Sequence, residues 1–281
     1  MPELPEVETV RRGLEARVVG RKIMSVEVGR ERTVRRTSRE ALVDGLLNVR
    51  IESAGRKGKY LLLPLDTGHM MMVHLRMSGQ LLLAPAGTPR PPHTHVALGL
   101  EGDEELWFVD PRTFGEVVVY DPANVEVELP EVARLGIDPL SDEFTRPAVG
   151  ALLRGRKRAM KALLLDQHVI AGIGNIYADE VLHRTKLRFD HQAADLSTRQ
   201  VGKLHDSITD ILGAAVTAGG STLRDNTYVD LMGGGGYYQD FHRVYDREDQ
   251  SCLTCKRGRI VKTVVAGRST YFCPRCQRPT S

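Results

Sequence analysis

The chain has 281 residues, with 39 Lys and Arg against 36 Asp and Glu, which gives a formal net charge of +3. This length accommodates one large or two ordinary domains, and no apolar run is long enough to span a membrane. The N-terminus lacks the basic start and apolar block of a signal peptide. These features argue for a cytosolic protein.

The first three residues, Met1-Pro2-Glu3, contain a candidate nucleophile. If Met1 is removed, Pro2 carries a free secondary amine, and an α-amino group titrates at about pH 8, so a fraction of it is uncharged at neutral pH. Such an amine can attack a sugar or carbonyl carbon and form an iminium, while Glu3 moves protons. A frayed terminus without a role is the alternative interpretation.

The N-terminal half is predicted to be mostly strand after a short leading helix. The helix begins at Pro5, places Val7, Val10 and Leu14 on one face, and ends before Gly20. Many short strands separated by turns are typical of a sandwich or barrel. The strand-like runs are residues 22–28, 59–65, 70–75, 96–100, 106–109 and 116–120.

Three loops of this half contain candidate DNA-binding residues. Lys59 begins a strand after a basic loop, where a phosphate contact is reasonable. Met77 follows another strand and is flexible enough to fill a gap left by a displaced base. Arg112 and Phe114 lie two residues apart, where Arg can bond a base and Phe can wedge between bases. A solvated loop, a core Met and a buried Phe are the alternatives.

The composition changes after residue 138, and helices are predicted from residue 147 onwards. The predicted helices span residues 147–154, 161–167 and 175–184, followed by a longer one that Ser197 caps and Gly219-Gly220 stops. A glycine-rich turn leads into the third helix, where main-chain N–H groups and Asn175 can bind phosphate, although a simple interhelical turn is the alternative. The loop 221–236 ends in four glycines, so we expect it to be mobile.

The four cysteines form two pairs, Cys252-x2-Cys255 and Cys273-x2-Cys276, separated by seventeen residues. This spacing can arrange four thiolates tetrahedrally around one structural Zn²⁺. Disulfides are the alternative, which a cytosolic setting disfavours. A hairpin is predicted between the pairs, with Arg268 at its tip. The segment from residue 251 to 281 has seven Lys and Arg and no acidic residue, which indicates a phosphate-binding surface or a solvated tail.

Seven motifs follow one another along essentially the whole chain. They are the N-terminal segment 1–9, Lys59-Tyr-Leu-Leu-Leu63, His74-Leu-Arg-Met-Ser-Gly79, Asp110-Pro-Arg-Thr-Phe-Gly115, Gly172-Ile-Gly-Asn-Ile-Tyr-Ala178, Gly219-Gly-Ser-Thr222 and the four-cysteine finger. These motifs occur together, in this order, in one family. On these motifs the chain resembles formamidopyrimidine-DNA glycosylase, a bacterial base-excision enzyme that removes oxidised purines such as 8-oxoguanine.

The resemblance implies a role for each candidate residue. Pro2 would attack the sugar C1′ and form a Schiff base, with Glu3 as the acid/base residue, and β,δ-elimination would follow. Lys59 and Arg268 belong with these two in the catalytic set and also contact phosphates. His74 and Asn175 are further phosphate contacts. Met77, Arg112 and Phe114 would fill the void left by the extruded nucleotide.

The resemblance also implies an α+β multidomain fold. A β-sandwich catalytic domain with a leading helix spans residues 1–138, and a linker spans 139–146. A helix–two-turn–helix DNA-binding domain spans 147–236, including the mobile lesion-covering loop 221–236, and a β-hairpin zinc finger spans 237–281. The partner would be duplex DNA with oxidised bases or abasic sites, bound by a monomer in the bacterial cytosol and nucleoid, with one structural Zn²⁺ and no membrane.

Three other functions compete with this one. An endonuclease VIII-like glycosylase for oxidised pyrimidines usually has glycine where this chain has Leu4, so Leu4 favours the purine enzyme. A damaged-DNA-binding protein without chemistry would not need Pro2, Glu3 and Lys59 together. A zinc-ribbon binding module would leave the first 250 residues unexplained.

Overall fold

A computed structural model describes residues 1–29, 31–34, 36–223 and 228–279. The chain divides into two compact units. The first consists of Met1–Arg134 and Ala218–Tyr237, and the second of Leu135–Thr217 and Tyr238–Ser281. The sequence-based boundaries assign the loop 221–236 to the second domain, whereas the structure groups it with the first unit.

The first unit is a β-sandwich preceded by a helix, as predicted. Its elements are α1 Leu4–Arg17, β1 Ile23–Val28, α2 Arg39–Leu46, β2 Gly55–Lys57, β3 Tyr60–Pro64, β4 Met70–His74, β5 Gln80–Pro85, β6 Thr94–Leu100, β7 Glu104–Val109, β8 Glu116–Tyr120, α3 Val125–Glu128 and α4 Pro130–Ala133. One sheet has the strand order β1-β6-β7-β5 and the other the order β2-β3-β4-β8, and neighbouring strands among the described residues are antiparallel.

The core of the first unit lies between the two sheets. Inward-facing side chains of β3 and β4, such as Leu61 and Val73, join those of β6 and β7, such as Leu98 and Phe108, in one buried cluster. The apolar face of α1 packs into the same cluster, as its predicted periodicity required. The N-terminus of α1 is therefore held on a packed scaffold.

The second unit is helical with a C-terminal hairpin. Its elements are α5 Arg146–Leu153, α6 Met160–Leu164, α7 Asn175–Thr185, α8 Thr198–Thr217, β9 Val261–Val265 and β10 Arg268–Phe272. Ser197 and Gln200 cap α8 through reciprocal hydrogen bonds, which confirms the predicted start of that helix. No helix among the described residues is long and apolar enough to cross a bilayer.

The described part of the glycine-rich loop makes a closed turn in the first unit. The carboxylate of Asp230 accepts hydrogen bonds from the main-chain N–H groups of Met232 and Gly234 at 2.9 and 2.8 Å. Gly233 has a φ of +84°, and a Cβ on Gly236 would collide with the carbonyl oxygen of Gly220. These two positions need glycine for conformation and close approach. Residues 224–227 lie outside the described residues, so the expected mobility stays a prediction.

Candidate active site and metal centre

The N-terminus places Pro2 and Glu3 at the start of α1. Pro2 is buried, Glu3 is 3% exposed, and Met1 is 38% exposed. Glu3 is the N-cap residue of this fourteen-residue helix. The structure therefore holds Pro2 and Glu3 together at the start of a helix whose apolar face packs into the core of the first unit.

Glu6 links the N-terminus to the segment that begins the glycine-rich loop. One of its carboxylate oxygens accepts a hydrogen bond from the main-chain N–H of Glu3 at 2.8 Å, and the other accepts one from the N–H of Ser221 at 2.7 Å. A Cβ on Gly220 would lie 2.8 Å from this carboxylate, so glycine is needed there. Glu6 is 1% exposed, and sequence reasoning did not identify it, because its partner is 215 residues away.

Lys59 lies in the tight turn between β2 and β3, where Gly58 has a φ of +57°. Its side chain is largely buried at 6% exposure. The preceding Arg56 donates to the Glu8 carboxylate of α1 at 3.0 Å. This ion pair is nearly excluded from solvent, so it fixes the Lys59 turn relative to the helix that starts at Glu3.

His74 is the last residue of β4 and lies between Tyr60 on β3 and Glu116 on β8 in the strand register. Its ring packs edge-on against Tyr60, with centroids 4.3 Å apart. Burial, helped by the neighbouring cations Arg76 and Lys59, lowers the pKa of His74 to about 3. Both effects favour the neutral imidazole over the imidazolium.

The three candidate void-filling residues are all exposed on two loops of the first unit. Met77 is 38% exposed and Phe114 is 44% exposed, and Arg112 is exposed as well. A large apolar side chain that is exposed is available to pack against another molecule. The exposure of Met77 and Phe114 excludes the alternatives of a core Met and a buried Phe.

A buried carboxylate, Asp110, holds these two loops together. It accepts hydrogen bonds from the Ser78 hydroxyl at 2.5 Å and from the main-chain N–H of Gly115 at 2.7 Å. The backbone turns sharply between Asp110 and Gly115, with Thr113 at a φ of +57°. A Cβ on Gly115 would lie 2.5 Å from the Phe108 ring. The Asp110 hydrogen bonds thus hold both loops at their bases, while the tips of the loops present the exposed side chains to solvent.

In the second unit the structure brings Asn175 and the hairpin tip together. Asn175 is the first residue of α7, and its side-chain amide donates to the carbonyl oxygen of Ser269 at 2.8 Å. Its carbonyl oxygen Oδ1 is buried without a hydrogen-bond partner. Arg268 is exposed beside Ser269, after a two-residue turn in which Ala266 and Gly267 both have positive φ.

A buried ion pair, Lys161 with Asp179, supports the same hairpin. Lys161 Nζ lies 2.7 Å from Asp179 Oδ1 and also donates to Ser269 O at 3.0 Å and Thr270 Oγ1 at 2.7 Å. The other oxygen of Asp179 accepts the main-chain N–H of Tyr271 at 2.8 Å. Sequence reasoning did not identify this pair.

The four cysteines converge on one point. Their sulfur atoms all lie within 4.8 Å of one another, and none forms a disulfide. The Sγ atoms of Cys252 and Cys276 are 3.8 Å apart, as are those of Cys255 and Cys273. A tetrahedral zinc with Zn–S bonds of about 2.3 Å requires S–S separations of about 3.8 Å. The donor set therefore fits Zn²⁺, and the disulfide alternative is wrong.

The zinc cluster is also supported from outside. His183 Nε2 lies 3.6 Å from Cys252 Sγ, and the main-chain N–H of Gly258 donates to Cys255 Sγ at 3.3 Å. A Cβ on Gly258 would lie 2.8 Å from Cys273 Sγ, so glycine is required there. Contacts of this kind orient the sulfur ligands, and the hydrogen bond from Gly258 stabilises the negative charge of a thiolate at Cys255.

Three family models match the chain: the formamidopyrimidine-DNA glycosylase N-terminal domain over residues 1–117, its H2TH domain over residues 135–227, and a zinc finger found in FPG and IleRS over residues 250–279. The chain belongs to the formamidopyrimidine-DNA glycosylase (Fpg) family. The Fpg resemblance seen in the sequence is confirmed, and the four cysteines hold one structural zinc.

Full-length relatives agree with this assignment. The Fpg of Roseiflexus sp. (strain RS-1) is 46% identical over 279 residues, covering 99% of this chain and 100% of that one. The Fpg of Pelotomaculum thermopropionicum is 41% identical, covering 99% of both chains.

Solved Fpg structures have the same fold. Lactococcus lactis Fpg, in complex with DNA containing an abasic site, has a TM-score of 0.89 at 37% identity, covering 99% of this chain and 100% of that one. The MutM (Fpg) protein of Thermus thermophilus has a TM-score of 0.88 at 40% identity, and both chains are covered completely.

Proposed function

We propose that this protein is a bifunctional DNA glycosylase/AP lyase that excises oxidised purines, namely 8-oxoguanine and formamidopyrimidines, from duplex DNA. The observation that carries this proposal is the buried Pro2-Glu3 start of α1 behind an exposed Met1, in a chain of the Fpg family. Solved relatives bound to abasic-site DNA and to Fapy-dG DNA support the substrate class. The enzyme would act on bacterial DNA in the cytosol and nucleoid.

The Pro2 amine serves both base excision and strand cleavage. After Met1 is removed, the Pro2 nitrogen bonds to C1′ as the bond from C1′ to the damaged base breaks, and the proton that the amine loses leaves on the base. Glu3 donates a proton to the sugar ring oxygen as the ring opens, which leaves an iminium between Pro2 and C1′. The iminium acidifies the C2′ hydrogen, so the ionised Glu3 can accept that proton while the 3′-phosphate leaves. Loss of the C4′ proton to water then expels the 5′-phosphate, and hydrolysis of the Schiff base releases the sugar remnant and the free amine.

The remaining candidate residues bind and deform the duplex. C1′ is accessible only when the nucleotide leaves the helix, and extrusion leaves a void that stacking side chains must fill. The exposed Met77, Arg112 and Phe114 are suited to this role because the Asp110 contacts fix their loops. Lys59, His74, Asn175 and Arg268 bind the phosphates around the lesion.

A panel of lesion duplexes tests this function. We expect rapid excision from duplexes with 8-oxoguanine or a formamidopyrimidine, cutting on both sides of an abasic site, and much slower release of thymine glycol. Faster excision of thymine glycol would favour an endonuclease VIII-like enzyme. Tight binding to all lesions without cutting would indicate a non-catalytic damage-binding protein.

A further inference from the structure

The His74 ring has one nitrogen whose role is fixed inside the protein. The main-chain N–H of Arg76 donates to His74 Nδ1 over 2.9 Å. A nitrogen that accepts a hydrogen bond must present its lone pair, so it carries no proton. In a neutral imidazole the proton then has to be on Nε2, which makes Nε2 a donor.

The Arg76 N–H reaches the ring because the chain makes a left-handed turn there. Arg76 has a φ of +52°, a conformation that costs an L-residue energy and needs support from its surroundings. The support comes from its guanidinium, which donates to Glu116 Oε1 at 2.9 Å. Glu116 is 1% exposed and receives Arg36 on its other oxygen at 2.7 Å.

The charged groups around the ring disfavour a second proton. Lys59 and Arg76 are cations beside a ring that is only 5% exposed, and the neighbouring anion, Glu116, is already bound by two guanidiniums. Tyr60, packed edge-on against the ring, contributes no charge at neutral pH. An imidazolium would also direct an N–H at the Arg76 N–H.

We propose that His74 binds its DNA phosphate as a permanently neutral imidazole, with the main-chain N–H of Arg76 fixing the tautomer that donates through Nε2. Arg76 is then a positioning residue: its turn directs the donor, and its ion pair with Glu116 holds the turn. This inference rests on the proposed DNA-binding function.

A neutral donor differs from a cation in two measurable ways. A neutral donor releases no counterion from DNA when it binds, so it adds nothing to the salt dependence of affinity. Each cationic phosphate contact, in contrast, adds about 0.9 to the slope of log affinity against log salt concentration. A neutral donor also has no titration near the usual histidine pKa of about 6.5. His74 would therefore keep its contact unchanged across the physiological pH range.

The tautomer is tested first without DNA. Ring ¹⁵N spectra of the intact zinc-bound protein, assigned by comparison with His74→Gln, should show a bare Nδ1 and a protonated Nε2 from about pH 5.5 to 8, around the usual histidine pKa. The variant Arg76→Gly keeps the main-chain N–H and tolerates positive φ, so it should keep the same tautomer, with faster exchange of the Nε2 proton. A protonated Nδ1, or a ring that titrates between about pH 6 and 7, would overturn the proposal whatever the enzyme acts on.

The second test uses a duplex with a tetrahydrofuran abasic analogue as the probe. Gln carries an N–H donor where His has Nε2, so His74→Gln should bind within about threefold of the wild type with an unchanged salt slope, while His74→Ala should bind roughly tenfold more weakly. Arg268→Gln is the matched cationic control and should lower the slope by about 0.9. A lower salt slope for His74→Gln would show that His74 binds as a cation, and the proposal would be wrong. The same holds if the wild type binds more tightly at low pH and His74→Gln does not. Excision by the wild type is measured in parallel. An absence of excision would contradict the proposed function, whereas the ring spectra would still decide the tautomer of His74.

Discussion

Lys161 and Asp179 form an ion pair in which both side chains are 1% exposed and the charged atoms are 2.7 Å apart. The pair joins α6 to α7 and, through three further hydrogen bonds, to residues 269–271 of the hairpin. Burying two charges is costly, and removal of one partner leaves the other uncompensated. The hairpin that carries Arg268 therefore depends on groups far from it in the sequence.

We predict that Lys161→Met destabilises the protein by about 3–5 kcal/mol, because Asp179 is left buried without its cation. Urea unfolding of the zinc-bound protein measures this change. The matched control is Arg184→Met, which removes an exposed ion pair with Asp210 and should cost less than about 1 kcal/mol. Equal effects of the two substitutions would contradict the role given to the buried pair.

The same pair predicts a pH dependence. Burial raises the pKa of Asp179 to about 7, although Lys161 opposes the shift. Between its ordinary pKa and about 7 the folded protein holds more protons than the unfolded chain, so this group's contribution to stability falls as the pH rises. Without Lys161 the pKa rises further. The stability deficit of Lys161→Met should therefore be larger at about pH 8 than at about pH 5.5, and a deficit that shrinks with rising pH would contradict this reasoning.

We predict that Glu6→Gln slows excision without preventing folding. The amide NH₂ would face the N–H of either Glu3 or Ser221, so one of the two hydrogen bonds is lost, at a cost of about 1–3 kcal/mol. Single-turnover excision of 8-oxoguanine should fall by roughly tenfold or more. The exposed Glu52→Gln is the control. An unchanged rate for Glu6→Gln would mean that the link between the terminus and Ser221 does not assist the chemistry.

Asp110→Asn should loosen the loops of Met77 and Phe114. The Asn side chain keeps one acceptor oxygen, but its NH₂ group must face either the Gly115 N–H or the Ser78 hydroxyl. The hydrogen bond lost in this way costs about 1–3 kcal/mol. We expect weaker binding to the tetrahydrofuran duplex and a smaller loss with single-stranded DNA, which has no stack to fill. Equal losses with both DNAs would show that the loops do not act by filling a void.

Zinc removal should unfold the C-terminal finger. The cluster formed by Val244, Ile260, Tyr271 and two of the cysteines is small, and a segment with so little core needs its metal to fold. Chelation should release one Zn²⁺ per chain and abolish duplex binding, while circular dichroism of the strand-rich first unit changes little. Retained DNA affinity after full zinc release would contradict the role of the finger.

The zinc site could be predicted from the sequence, because the two cysteine pairs and their separation are visible without a fold, and the structure confirms it. The Pro2-Glu3 start and the motifs around His74, Arg112 and Asn175 are also local in the sequence. The roles given to these residues come from the family resemblance and stay predictions. Strand β5 and helix α2 were not predicted. β5 reads Gln-Leu-Leu-Leu-Ala-Pro, without clear alternation, and α2 has only two buried residues to mark its face.

The supporting groups could not be predicted from the sequence. Glu6 and Ser221, or Lys161 and Thr270, are paired only by the folded chain, and neither contact leaves a periodic signal. The glycine run also has structural uses that its composition alone did not show, since Gly233 has a positive φ and Gly236 lies close to the main chain of Gly220. The mobility expected for this loop stays a prediction.

Borohydride trapping on an 8-oxoguanine duplex, followed by mass spectrometry of the N-terminal peptide, tests the central claim most directly. We predict that purified protein begins at Pro2 and that the trapped sugar is attached to the Pro2 nitrogen, while Pro2→Gly is trapped more slowly. Trapping at a lysine, or full-rate trapping at the same site in protein that retains Met1, would contradict the account.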